Sequence, residues 1–146
     1  DVQKKLRENW QDAVEERKYV AVVEGEVEKD SGTITSWLKE NKATIMYSSN
    51  KENDGQKAIT HYKVLNRNNK YSLVELELET GRKNQIRVHM MDLGHSIVGD
   101  DKYKATGNPI YRLGLHARVL KFTHPITGEE VCLETKIPEI FTDLLI

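Results

Sequence analysis

The sequence predicts an α+β fold, a mixed, mainly antiparallel sheet with few helices. Three observations point there. In AITHYKVLNRNNKYSLVELELET, two β-rich runs flank the turn-forming NRNN. RLGLHARVLKFTHPITGEEVCLETKIP repeats that arrangement around Thr127-Gly128. Between the two hairpins, NQIRVHMMDLG carries Ile86, Met90 and Leu93 at helical spacing. Strand pairs with one helix between them suggest α+β architecture.

The elements follow in order. DVQKKLRENWQDAVEE sets Val2, Leu6, Trp10 and Val14 four residues apart, which predicts an amphipathic helix. RKYVAVVEGEV is valine-rich and reads as a strand ended by Gly25. EKDSGTITS is turn-rich, residues 36–57 give no clear pattern, and SSNKENDGQK within them reads as a polar loop. The first hairpin comes next, its Asn residues suited to left-handed turn positions. In VELELE, Val74, Leu76 and Leu78 alternate with Glu75, Glu77 and Glu79, giving one buried face and one acidic face. In the central helix Asn84 is the expected N-cap and Gly94 the terminator. HSIVGDDKYKATGNPIY reads as a strand fragment and a long loop, and PEIFTDLLI as a closing helical turn.

A chain of 146 residues suits one domain with a real core. Charged residues make up 31%, and 22 Lys and Arg nearly balance 23 Asp and Glu. That near-neutral total does not announce a nucleic-acid binder, but a local basic patch is compatible with it. Cys132 is the one cysteine, so no internal disulfide forms and a reducing, cytoplasmic setting is expected. No apolar run is of membrane-spanning length, so no membrane partner is expected; oligomeric state is not legible.

The chemistry concentrates in ETGRKNQIRVHM. A strand ends, a glycine turns the chain and a helix begins, with Arg82 and Lys83 adding positive charge where helix N–H groups favour anions. The plainer alternative is a solvated turn with Arg82 paired to Glu79. Arg87 lies beside the apolar helix face, so it needs a partner, most naturally a carboxylate held bidentately. That leaves a structural ion pair or an arginine that orients a catalytic acid. His89, His95, His116 and His124 lack metal-ligand spacing, so no metal is expected. Tyr19 and Leu115, taken alone, read as a strand tyrosine and a core leucine. Asp100 and Asp101 are conceivable general bases, but a paired acid in a loop is usually a turn or cap.

In order and spacing, KYVAVVEG, AITHYKVL, ETGRKNQIRVHMMDLGHSIVGDDKY, RLGLHARVLKFTHPITGE and KIPEIF resemble consecutive blocks of the RluA-type RNA pseudouridine synthases, over nearly the whole chain. The resemblance implies isomerisation of uridine in ribosomal or transfer RNA. The glycosidic C–N bond breaks, the uracil turns, and a C–C bond to its C5 forms. An aspartate is the nucleophile, and no cofactor or metal takes part. The target nucleotide must leave its stack to react. Tyr19 matches the tyrosine that stacks on the uracil and is a candidate for proton abstraction at C5. Arg87 matches the arginine paired with the catalytic aspartate, and Leu115 an apolar residue lining the uracil pocket. Arg82, Lys83, Asn84 and Gln85 then fall at the mouth, as contacts for RNA. Family members often carry Thr-His where this chain has Lys83-Asn84.

One block is missing. The family's nucleophile lies in a segment resembling HRLDxxTSG, which this sequence lacks; DVQKKLRENW matches the helix that follows it. The expectation is therefore the C-terminal part of a single catalytic domain over residues 1–146, with the nucleophile and Arg87's carboxylate partner outside it. The alternatives are a non-catalytic RNA-binding module and an unrelated phosphate-binding enzyme using Arg82 and Arg87. The expected outcome for the 146-residue chain, assayed alone for tritium release from RNA containing 5-tritiated uridine, is no turnover; robust release would place the nucleophile within it.

Overall fold

The computed structural model describes residues 14–146 apart from Pro125. Among the described residues, seven strands form one antiparallel sheet: β1 (Val14–Glu24), β2 (Ser31–Glu40), β3 (Met46–Ser49), β4 (Gln56–Arg67), β5 (Tyr71–Leu78), β6 (Leu115–Thr123) and β7 (Glu130–Glu134). Their order across the sheet is β3-β2-β4-β5-β1-β6-β7. Helix α1 (Gln85–Asp92) and a short 3₁₀ turn (Asp101–Tyr103) join β5 to β6, and α2 (Glu139–Asp143) closes the chain. The α+β expectation holds.

The valine run in β1 explains its central position. Val20 and Val22 pack with Leu73, Val98 and Phe141 on one face of the sheet. Ala21 and Val23 pack with Val74, Leu76, Ile86, Met90 and Ile97 on the other, beneath α1. Alternation sends successive residues to opposite faces, so a strand apolar at every position must be covered on both. The 115–134 hairpin turns through Gly128 as expected.

Two expectations are corrected, and a third lies mostly outside the described residues. Of the helix over 1–16 only Val14–Glu16 are described, and they begin β1 and pair with β6. SGTITSWLKE is a full strand, not a turn, and residues 46–49 form a further strand. The 56–78 hairpin does form, but its turn needs no left-handed Asn. Instead Asn68 Oδ1 accepts from the backbone N–H groups of Lys70 and Tyr71, at 2.9 and 2.8 Å. The polar loop after β3 is tied by Asp54, which accepts from Lys39 Nζ at 2.9 Å and Ser49 Oγ at 2.8 Å.

Phe141 is fully buried against β1 and β5, on the face that α1 leaves uncovered. Phe141→Ala is expected to cost about 3–5 kcal/mol. For a chain of this size that lowers the melting temperature by roughly 10 °C or more, read by calorimetry.

Candidate active site

Helix α1 is eight residues long, too short to stand on its own. Ile86 and Met90 seat it on the sheet by apolar burial. A row of polar groups, buried at Gln85, Thr60, His89 and Ser36, seats it by direction. Gln85 is 2% exposed and uses its whole amide. Its Oε1 accepts from Thr80 Oγ1 (2.7 Å) and Arg82 N (3.0 Å). Its Nε2 donates to Ile59 O (3.0 Å) and Thr60 Oγ1 (2.9 Å). Gln85 therefore braces the loop before the helix.

One turn on, buried His89 bridges Thr60 Oγ1 (2.7 Å, at Nδ1) and Ser36 Oγ (2.8 Å, at Nε2). Ser36 meets Ser48 Oγ at 3.0 Å, and Ser48 donates to Asp92 Oδ2. A carboxylate only accepts, so the proton order follows backwards along the row. Ser48 donates to Asp92, Ser36 to Ser48, His89 Nε2–H to Ser36, and Thr60 to His89 Nδ1. Each hydroxyl donates once, and the imidazole is neutral. Burial lowers the His89 pKa from 6.5 to about 4. Burial raises that of Asp92, against the opposing hydrogen bond from Ser48.

At the start of α1, Asn84 occupies the N-cap position but does not cap with its side chain. Its φ is 54°, a left-handed conformation that Asn adopts more readily than most residues. Its Nδ2 donates to Tyr103 Oη (3.3 Å), and its Oδ1 accepts from Arg87 Nη1 (3.4 Å). Gly94, with φ +91°, ends the helix as expected, donating to Met91 O at 3.0 Å.

Arg87 has a partner within the chain. Its Nε donates to Asp100 Oδ2 (2.9 Å) and its Nη2 to Asp100 Oδ1 (2.7 Å), a bidentate pair. The guanidinium also lies over the Tyr103 ring, 4.8 Å from its centroid. The bond to Asp100 raises the Arg87 pKa, so the group is always charged. The expectation that Arg87's carboxylate is missing from the chain is thus corrected. Asp100 is neither an open general base nor only a turn residue.

These elements enclose a pocket of about 180 Å³ lined by Tyr19, Leu78, Arg82, Asn84, Gln85, Ile86, Arg87 and Leu115. Register explains the apolar wall. Tyr19 pairs with Leu76, and Ala21, two residues on, pairs with Leu115. Tyr19, Leu78 and Leu115 therefore share the face that α1 covers. A bulge falls beside Tyr19, where Lys18 pairs Val119 but Tyr19 pairs Ala117. The Arg82 side chain donates from Nε to Lys57 O at 3.0 Å. Glu79 pairs with His61 instead (3.1 Å).

Six of the seven residues singled out from sequence thus line one pocket. Lys83 does not: its Nζ reaches Glu40 Oε2 at 2.7 Å on the other side of the loop. Leu78 and Ile86 were missed as pocket residues because each reads as plain core. Asp100 was set aside; the signal for it was Arg87's need for a carboxylate. The other histidines serve local structure. His95 contacts Glu24 O (2.8 Å), His116 contacts Thr135 Oγ1 (3.0 Å), and His124 Nδ1 caps the β6–β7 turn. Among the described residues, no three His, Cys, Asp or Glu side chains converge as metal ligands, and no helix is long and apolar enough to cross a membrane.

Comparison with known proteins bears on this pocket. The family model described as RNA pseudouridylate synthase matches residues 1–92. RNA pseudouridine synthase YlyB of Bacillus subtilis is 43% identical over 130 residues, covering 88% of this chain and 43% of the relative. Ribosomal large subunit pseudouridine synthase C of Rickettsia prowazekii is 36% identical over 146 residues, covering 97% of this chain and 48% of the relative. The chain thus spans less than half the length of these two relatives. Human RNA pseudouridylate synthase domain containing 1 superposes with a TM-score of 0.75 at 25% identity, over 92% of this chain and 58% of that one.

The neutral, buried His89 makes stability pH-dependent. Folded, it binds fewer protons than unfolded, so its contribution is complete above 6.5 and is lost as pH falls toward 4. The loss amounts to roughly 3 kcal/mol at about 1.4 kcal/mol per decade. Asp92 acts in the opposite sense, so urea melts across pH 7 to 4 are compared with those of a variant that lacks the histidine. A His89→Gln variant is expected to lack that slope.

Proposed function

The chain belongs to the RluA-type RNA pseudouridine synthase family, and from that premise we propose that its pocket receives the target uridine of an RNA and supports its isomerisation to pseudouridine. The observation that carries this reading is the meeting, around one cavity, of a half-buried tyrosine, two leucines and two arginines from separate elements. The ring of Tyr19 offers a stacking face for a base that has left its helix, worth about 1–3 kcal/mol. Leu78, Ile86 and Leu115 close the apolar side. Arg82 holds phosphate at the mouth.

In this reading, attack by an aspartate breaks the bond between the sugar and N1. The freed uracil turns against Tyr19, and its C5 attacks the same sugar carbon, displacing the aspartate and regenerating its carboxylate. The C5 proton then leaves, and in this reading Tyr19 takes part in its removal. Atoms balance, since N1 gains a proton and C5 loses one. The aspartate comes from a part of the full-length protein outside these 146 residues, whose sequence lacks the block that carries it. The chain alone is then inactive. Among the RNAs open to this family we favour ribosomal RNA, the substrate class named for the Rickettsia relative and for synthase D of Zymomonas mobilis.

In the full-length protein acting on ribosomal RNA, Tyr19→Phe is expected to keep RNA affinity and lower turnover at least about 100-fold. Arg87→Ala should do likewise. Arg82→Ala should instead weaken binding and reduce the salt dependence of affinity by about one phosphate contact. Tritium release and filter binding at several salt concentrations separate these outcomes. Affinity loss without turnover loss in Arg87→Ala would assign Arg87 to phosphate binding.

A further inference from the structure

We infer that Asp100 is a positioning residue for the reaction: it clamps Arg87 from behind, so that the guanidinium's free edge faces the pocket and takes the nucleophilic carboxylate. This rests on the proposed isomerase function and extends it to a second acid.

Burial on the two sides of the pair is unequal. The Asp100 side chain is 1% exposed, whereas that of Arg87 is 23% exposed and lines the pocket. The carboxylate therefore lies behind the arginine, out of reach of substrate. It grips one side of the fork, Nε and Nη2. A guanidinium has five N–H donors, and a planar fork can serve two carboxylates on adjacent edges. Two donors are spent on Asp100 and one, weakly, on Asn84. Among the described residues, the two left over belong to Nη1 and Nη2.

The clamp is itself held. Asp100 N donates to Ile97 O, and Asp100 O accepts from Tyr103 N and Ala105 N, each at 3.0 Å. Tyr103, fully buried, stacks on Arg87 and receives Met46 N–H (3.1 Å) and Asn84 Nδ2 (3.3 Å) at its hydroxyl. Gly99, with φ +79°, makes the turn into Asp100, and a Cβ there would strike the carbonyl of Arg112. So GDDKY supplies the carboxylate on one edge of Arg87 and the ring under its face. A buried ion pair gives little net stability over apolar packing. Its value here is orientation, and it has a second effect. With Asp100 in place the pair is neutral overall, so a second carboxylate bound to Arg87 keeps more of its nucleophilicity than it would beside an uncompensated arginine.

The test uses the full-length protein with ribosomal RNA. Asp100→Asn keeps the shape and the backbone bonds but weakens the grip. The expected result is turnover lowered on the order of 100-fold, as for misplaced groups generally, with KM and RNA affinity within about twofold. In an Arg87→Lys background, Asp100→Asn should add little, because its effect passes through the guanidinium. Full turnover in a folded Asp100→Asn protein would overturn the inference, as would losses that multiply in the double variant. Should Asp100→Asn fail to fold, the Arg87 Nε–H resonance of the unaltered protein decides. It should stay protected from exchange when RNA binds, and its release would overturn the clamp. Absence of tritium release from the unaltered protein would instead refute the proposed function itself.

Discussion

The fit of helix α1 onto the sheet is the constraint on which the site depends. Eight residues with no side-chain cap have little helical stability of their own. Ile86 and Met90 bury the helix, but apolar contact alone would let it slide or roll. The row from Thr80 through Gln85, Thr60, His89, Ser36 and Ser48 to Asp92 removes that freedom. Of these, Gln85, Thr60, His89 and Ser36 are buried, and a buried polar group left unpaired by a shift of register costs about 1–3 kcal/mol. Register along α1 fixes where Arg82, Asn84 and Arg87 stand.

The sheet supplies the other half of the geometry. β1 is the pivot, pairing β5 on one side and β6 on the other, so Tyr19 meets strands distant in sequence. The bulge beside Tyr19 falls where the sheet wall of the pocket must bend. Polar positioning thus comes from the helix, its loops and GDDKY, and apolar shape comes from β1, β5 and β6. The pocket therefore has an apolar floor on one side and a fixed cation on the other.

Much of this was legible in the chain. The alternation in VELELE and the two hairpin patterns place the strands, because those strands obey period two. β2 was missed because Ser36 takes an inward position that a strand pattern expects to be apolar. It is tolerated there because His89, 53 residues away, provides its bond. Arg82, Asn84, Arg87, Tyr19 and Leu115 were found through motif order, and the structure gathers them. Lys83 and Gln85 make contacts that motif order does not show. Lys83 turns to the far side of its loop, and Gln85 is consumed by four internal bonds. Asp100 was underestimated because nothing local distinguishes a buried clamp from a solvated turn acid. Only the fold brings Arg87 to it.

The most direct measurement is a structure of the full-length protein bound to RNA carrying its target uridine. The account predicts a uracil ring against Tyr19 and beside Leu115, with Arg87 bonded to Asp100 on one edge and to a second carboxylate on the other. A target base lodged elsewhere, with this pocket empty, would contradict it.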